Sequence, residues 1–143
     1  MTGPPRHSVS VAAAIFDASG ENVLLIKRRD NGNWEPPGGV LELDETIEEG
    51  LRREVREETG AEIEVGPLTG VYKNMPRGIV ALVYRCTLTT PPLEASAEAS
   101  SVRWTPLVDT ASLMLPAYAV RISDARSGRS TRTRSHDGMQ LWP

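Results

Sequence analysis

Three glutamates, Glu54, Glu57 and Glu58, lie three and four residues apart in the run Arg53-Glu54-Val55-Arg56-Glu57-Glu58-Thr59-Gly60. On a helix this spacing gathers them along one side. Like charges so placed destabilise a bare helix, so a helix that keeps all three together is expected to hold a cation. Hard oxygen donors in such a cluster suit Mg²⁺ or Mn²⁺, the metals that accompany phosphate chemistry. At a diphosphate such cations neutralise oxygens, orient a water and lower its pKa. The competing reading is a salt-bridged surface helix, supported by the i,i+4 pairs Glu48–Arg52 and Glu49–Arg53. Against it, Glu58 follows Val55 by three residues and so lies in phase with the apolar stripe Ile47, Leu51 and Val55.

The elements that must position these carboxylates are marked in the chain. Thr46 and Glu49 form a capping-box pair, and Gly60 suits the left-handed position just past a helix C-terminus. Before this helix, Ser8–Asp17 and Val23–Arg28 read as strands joined by the turn Ala18–Asn22, a hairpin. Pro36-Pro37-Gly38-Gly39 forces extended backbone into the loop ahead of the helix. After it, Glu62–Val65 and Leu68–Tyr72 read as short strands parted by Gly66-Pro67, followed by strands at Ile79–Thr89 and Val102–Trp104. Leu93–Ser101 reads as a loop, and Leu115–Arg126 as a second helix with Pro116 in its first turn. Residues 1–7 are expected to be a loose arm and 8–126 the domain. Residues 127–143 form an Arg-rich C-terminal segment, with packing on the domain as an open alternative to a solvated one.

From Gly39 to Ala61 the chain resembles the Nudix box: Gly39, five residues, Glu45, seven residues, Arg53-Glu54, an aliphatic, any residue, Glu57-Glu58, any residue, Gly60, an aliphatic. Seven fixed matches arise by chance on the order of once in 10⁷–10⁸ starting points. Ala61 is smaller than the usual aliphatic, and Leu43-Asp44 stands where many members carry a turn pair. The resemblance implies an α+β fold, a Nudix-type α/β/α sandwich with a central mixed β-sheet. It implies a hydrolase that cleaves a pyrophosphate bond in a nucleoside diphosphate-linked substrate. By the same resemblance Glu54 and Glu58 are the main metal ligands and Glu57 a third ligand or water-activating base. The carbonyl of Gly39 joins the metal shell, while Arg53 and Glu45 hold the loop against the helix.

A further base in such proteins often comes from a loop carboxylate, for which Glu94 and Glu98 are the candidates and Glu98 the preferred one. Trp34 and Tyr72 are candidates to stack on a base, and Arg77 to meet a phosphate. Pro76, sixteen residues after Gly60, resembles the placement in ADP-ribose-hydrolysing members. ADP-ribose or a nucleotide sugar is therefore favoured over nucleoside triphosphates. The alternative is a catalytically silent domain that senses a nucleotide. Arg121, Arg126, Arg129, Arg132 and Arg134 form a basic stretch without interleaved aromatics, read as a solvated segment. His7 and His136 make no catalytic set and read as loop residues, and Cys86 reads as an inert core thiol.

At 143 residues, 39% hydrophobic and 24% charged, the chain describes one soluble globular domain. A formal net charge of −3 argues against non-specific nucleic-acid binding, so the expected partner is a small nucleotide. No apolar run reaches membrane-span length, and the first residues lack the apolar stretch of a secretory leader. One cysteine leaves no disulfide framework. The expected compartment is the cytoplasm. A homodimer is compatible with the resemblance, though no residue pattern decides it.

Overall fold

The computed structural model describes residues 3–143; the first two residues of the expected N-terminal arm lie outside the described range. The chain runs β1 (Ser8–Ile15), β2 (Asn22–Arg28), β3 (Trp34–Glu35), β4 (Gly38–Val40), α1 (Ile47–Thr59), β5 (Ile63–Asn74) and β6 (Ile79–Leu88). It continues through β7 (Ala99–Pro106), a single 3₁₀ turn (Leu107–Asp109), α2 (Thr110–Leu113), α3 (Pro116–Arg126) and β8 (Arg132–His136). A five-stranded sheet has the order β4-β1-β6-β5-β8, and a three-stranded sheet the order β3-β2-β7. The larger sheet is mixed: β1 runs parallel to β6 and β5 parallel to β8, while the other pairs are antiparallel.

Strand β1 shows how the layers are sorted. Val11, Ala13 and Ile15 belong to one buried cluster with Leu51 and Val55 of α1. Ala12, Ala14 and Phe16 belong to a second with Ile122 and Ala125 of α3. The two-residue period thus serves helices on opposite faces of one strand. Leu51 and Val55 are fully buried, each contributing about 1.5–3 kcal/mol of apolar burial. Among the described residues no helix is long and apolar enough to cross a membrane.

β1 and β2 do not form a hairpin ladder. They enter different sheets and share only the bridge Phe16↔Val23. Non-local partners, β6 and β7, outcompete the short turn. The two short strands expected after α1 are one strand, β5, whose ladder with β6 shifts register between Val65 and Leu68 and again between Leu68 and Gly70. The irregularity absorbs Gly66-Pro67 without ending the strand. Ile47 is 40% exposed, so the buried stripe of α1 starts at Leu51. The loop expected at 93–101 ends early, because Ala99–Ser101 already pair with β2. Of the Arg-rich segment, Arg132–His136 pack on the domain as an edge strand beside β5.

Candidate active site

Helix α1 is fixed at both ends by its own sequence. The Glu49 amide donates to Thr46 Oγ1 at 3.1 Å, and the Thr46 amide donates to Glu49 Oε1 at 2.8 Å. Gly60, at φ 73°, closes the other end by donating its N–H to the Arg56 carbonyl at 2.8 Å. Glu49 is thereby committed to the cap, and Arg53 turns away from it. The expected Glu49–Arg53 pair is absent among the described ion pairs, whereas Glu48–Arg52 forms at 2.7 Å.

Arg53 instead forms the hub of the site. It reaches Glu45 at 2.7 Å, Glu54 at 2.9 Å and Glu57 at 3.3 Å, and also donates to the Val40 carbonyl at 3.2 Å. Its hydrogen bonds hold the Glu45 carboxyl down to about 2. Glu45 also accepts from the Glu42 amide at 2.9 Å, so Arg53 and Glu45 tie the loop to the helix. Gly50 makes the approach possible, because a Cβ there would lie 2.7 Å from Glu45 Oε1.

Glu58 is 6% exposed and faces the preceding strand, where Oε1 accepts from the Gly38 amide at 2.7 Å. Burial pushes its carboxyl up to about 8, partly countered by that hydrogen bond. Glu54 is also raised, by burial first, against the lowering effect of Arg53. A Cβ on Gly39 would fall 2.5 Å from the Glu54 carboxyl carbon, so only glycine leaves room between strand and carboxylate. Carboxylate oxygens of Glu54, Glu57 and Glu98 lie within 4.8 Å of one another. Glu98 comes from the segment before β7, and Glu94 is not in this group. Glu58 stands outside the trio but lines the same cavity of about 410 Å³ with Glu54, Glu98, Gly39 and Arg28.

This donor set fits a hard divalent cation. It is all oxygen, carboxylates from α1 and from the segment before β7 converge in it, and Gly39 leaves room for Glu54 beside the strand.

Beside it lies a larger cavity of about 660 Å³, lined by Trp34, Pro76, Arg77, Arg28, Glu35 and Tyr118 among others. Two of the three expected substrate contacts, Trp34 and Arg77, therefore face one space. The Trp34 ring already carries the Arg103 guanidinium at 4.5 Å and the Lys27 ammonium at 5.9 Å. Tyr72 is corrected: it is fully buried, and its hydroxyl donates to Asp124 at 2.8 Å, so its ring is closed to a base. His136, expected in a loop, is the fully buried last residue of β8. Cys86 is buried in β6, and burial pushes its thiol up to about 12, which leaves it inert as a nucleophile.

The residue that the sequence reading passed over is Arg28, at the end of β2. It lines both cavities and is held by Asp30 at 2.6 Å and Glu35 at 3.2 Å. A basic residue before a turn gives no signal of this role, since Glu35 comes into reach only when β2 pairs with β3.

The NUDIX domain matches residues 6–124. A "MutT-like protein" from Streptomyces ambofaciens is 51% identical over 142 residues, covering 99% of this chain and 92% of that protein. An "8-oxo-dGDP phosphatase" from Homo sapiens is 38% identical over 92% of this chain, which spans 36% of that protein. An "ADP-ribose pyrophosphatase" from Methanocaldococcus jannaschii is 37% identical over 57% of this chain and 53% of its own length. The crystal structure of an ADP-ribose pyrophosphatase from Streptococcus suis shares the fold, with a TM-score of 0.76 at 22% identity over 90% of this chain and 99% of that one. The chain belongs to the Nudix family.

Proposed function

We propose that this protein cleaves the pyrophosphate bond of a nucleoside diphosphate-linked substrate in a reaction dependent on Mg²⁺ or Mn²⁺. The observation that carries the reading is the convergence of Glu54, Glu57 and Glu98 within 4.8 Å, beside the buried Glu58 and the Gly39 backbone. A bound divalent cation would supply charge neutralisation at the phosphate oxygens and a more acidic water. Glu54, Glu57, Glu58 and the Gly39 carbonyl would hold it.

The chain's own groups do the rest. Glu57, which is exposed and beside Glu54, accepts a proton from the attacking water, with Glu98 as the second carboxylate in reach of the same point. Arg53 keeps Glu54 and Glu57 oriented, and Glu45 keeps Arg53 in place. Trp34 and Arg77 border the space for the nucleotide beyond the diphosphate. ADP-ribose or a nucleotide sugar is favoured, in line with the relative named an ADP-ribose pyrophosphatase, and nucleoside triphosphates come next. A silent nucleotide sensor would have no use for three carboxylates kept together behind a glycine.

The test is hydrolysis of a panel containing ADP-ribose, nucleotide sugars, dinucleoside polyphosphates, NAD, and canonical and oxidised triphosphates. Each is run with Mg²⁺, with Mn²⁺ and with chelator. Metal-dependent cleavage of one class supports the reading. Nucleotide binding without cleavage anywhere on the panel would replace it with the sensor.

A further inference from the structure

Arg121 of α3 is 9% exposed and lies between two aromatic rings, 4.9 Å from Tyr72 and 4.7 Å from Tyr118. Among the described residues no carboxylate comes within ion-pair distance of it. Asp124, one turn on, is taken by the Tyr72 hydroxyl and by Nε and Nη2 of Arg134. Glu35 is held by Arg28. Arg121 Nε is buried without any hydrogen-bond partner.

Its one polar contact among the described residues is itself compromised. A terminal nitrogen of Arg121 lies 3.4 Å from His136 Nε2, yet His136 Nδ1 already accepts the Gly138 amide at 2.9 Å. A neutral imidazole accepts at only one nitrogen. Burial and the Arg121 charge both press His136 toward that neutral form. A full charge is therefore held in the interior, stacked but without an acceptor, an arrangement that is costly unless a ligand completes it.

The cation faces an opening. A cavity of about 320 Å³ is lined by Arg121, His136 and Asn74 together with Gly38, Gly39 and Val40, which also line the cavity of the acidic cluster. We propose that Arg121 is a phosphate anchor: it takes a non-bridging oxygen of the nucleotide's phosphate chain within the cavity that it lines together with Gly38 and Gly39. A guanidinium gripped by two aromatic faces keeps its N–H edge fixed, which suits the planar, two-point grip that arginine makes on phosphate. A neutral sugar or base would leave the charge uncompensated. The inference rests on the pyrophosphohydrolase reading, but the two can fail separately.

The test is thermal melting in chelator, with inorganic pyrophosphate, with AMP and with adenosine, for the wild type, Arg121→Met and Arg121→Lys. AMP and adenosine differ only by the phosphate. The wild type should be stabilised by pyrophosphate and by AMP, and less by adenosine. Arg121→Met should melt no lower than the wild type without ligand, since it removes an unpaired buried charge, and should lose both shifts. Arg121→Lys should restore part of them. For the substrate turned over with Mg²⁺, KM in Arg121→Met should rise roughly thirtyfold, more than kcat falls.

A wild type unmoved by pyrophosphate and AMP overturns the inference, as does an equal response to adenosine and AMP. It is also overturned if Arg121→Met melts lower yet keeps the wild-type shifts, the behaviour of a purely structural cation. Phosphate-dependent shifts without turnover of any substrate would uphold the anchor and reject the enzymatic reading instead.

Discussion

Glu58 couples the site to the stability of the metal-free protein. Its carboxyl is buried and raised from 4.5 to about 8, with burial the main cause. Below pH 4.5 both folded and unfolded chains carry the proton. Between 4.5 and about 8 the folded chain keeps a proton that the unfolded chain has released, so stability falls as pH rises. Each pK unit corresponds to about 1.4 kcal/mol, so full ionisation at Glu58 costs the fold at most on the order of 5 kcal/mol. Glu58→Gln abolishes this cost and keeps an oxygen for the Gly38 amide. Urea unfolding in EDTA at intervals from pH 5 to pH 9 should show the variant gaining on the wild type with each step. The gain should approach but not exceed about 1.4 kcal/mol per pH unit and should level off above pH 8. Saturating Mg²⁺ should lift the wild type at high pH far more than the variant. Parallel curves in EDTA, with a difference independent of pH, would refute the claim that an uncompensated buried carboxyl sits behind Gly38.

Two further outcomes follow from the same geometry. Gly39→Ala places a methyl 2.5 Å from the Glu54 carboxyl carbon and should displace that side chain. The fold should survive by circular dichroism while turnover drops about a hundredfold, the cost of a misplacement near 1 Å. Asp124 ties three elements together, accepting from Tyr72 on β5 and from Arg134 on β8 while sitting on α3. Burial raises its carboxyl, but the bonds from Arg134 and Tyr72 together outweigh that and hold it below its ordinary value. Asp124→Ala should cost roughly 3–5 kcal/mol in denaturant unfolding, because it leaves partners unpaired. The contribution of Asp124 should be present above its unfolded value and disappear as pH falls through the lower folded one.

The acidic helix was the most legible part of the chain because its signals are local. The Thr46–Glu49 box, Gly60 and the phase of Glu58 with Val55 all lie within one continuous segment, and the structure places each as that pattern requires. Strand partners were not legible. β1 pairs with β6, some seventy residues later, and nothing in the turn at 18–22 tells it from a hairpin turn. Tyr72 looked available because an aromatic in a strand reads the same on either face. What buries it is α3, through Asp124 and Arg121. The Arg-rich end looked solvated for a similar reason. Arg134 pairs with a carboxylate from another element, which neutralises the charge that would otherwise keep the segment out of the sheet.

The proposed hydrolysis requires the carboxylates of α1 to act together. Its most direct measurement is kcat with Mg²⁺ for the wild type, Glu57→Gln and Glu58→Gln, using whichever pyrophosphate substrate the wild type cleaves. Both variants should remain folded and fall by about 10² or more, the scale of a lost acid–base or charge-stabilising group. Wild-type rates in both variants would contradict the assignment of the site to α1.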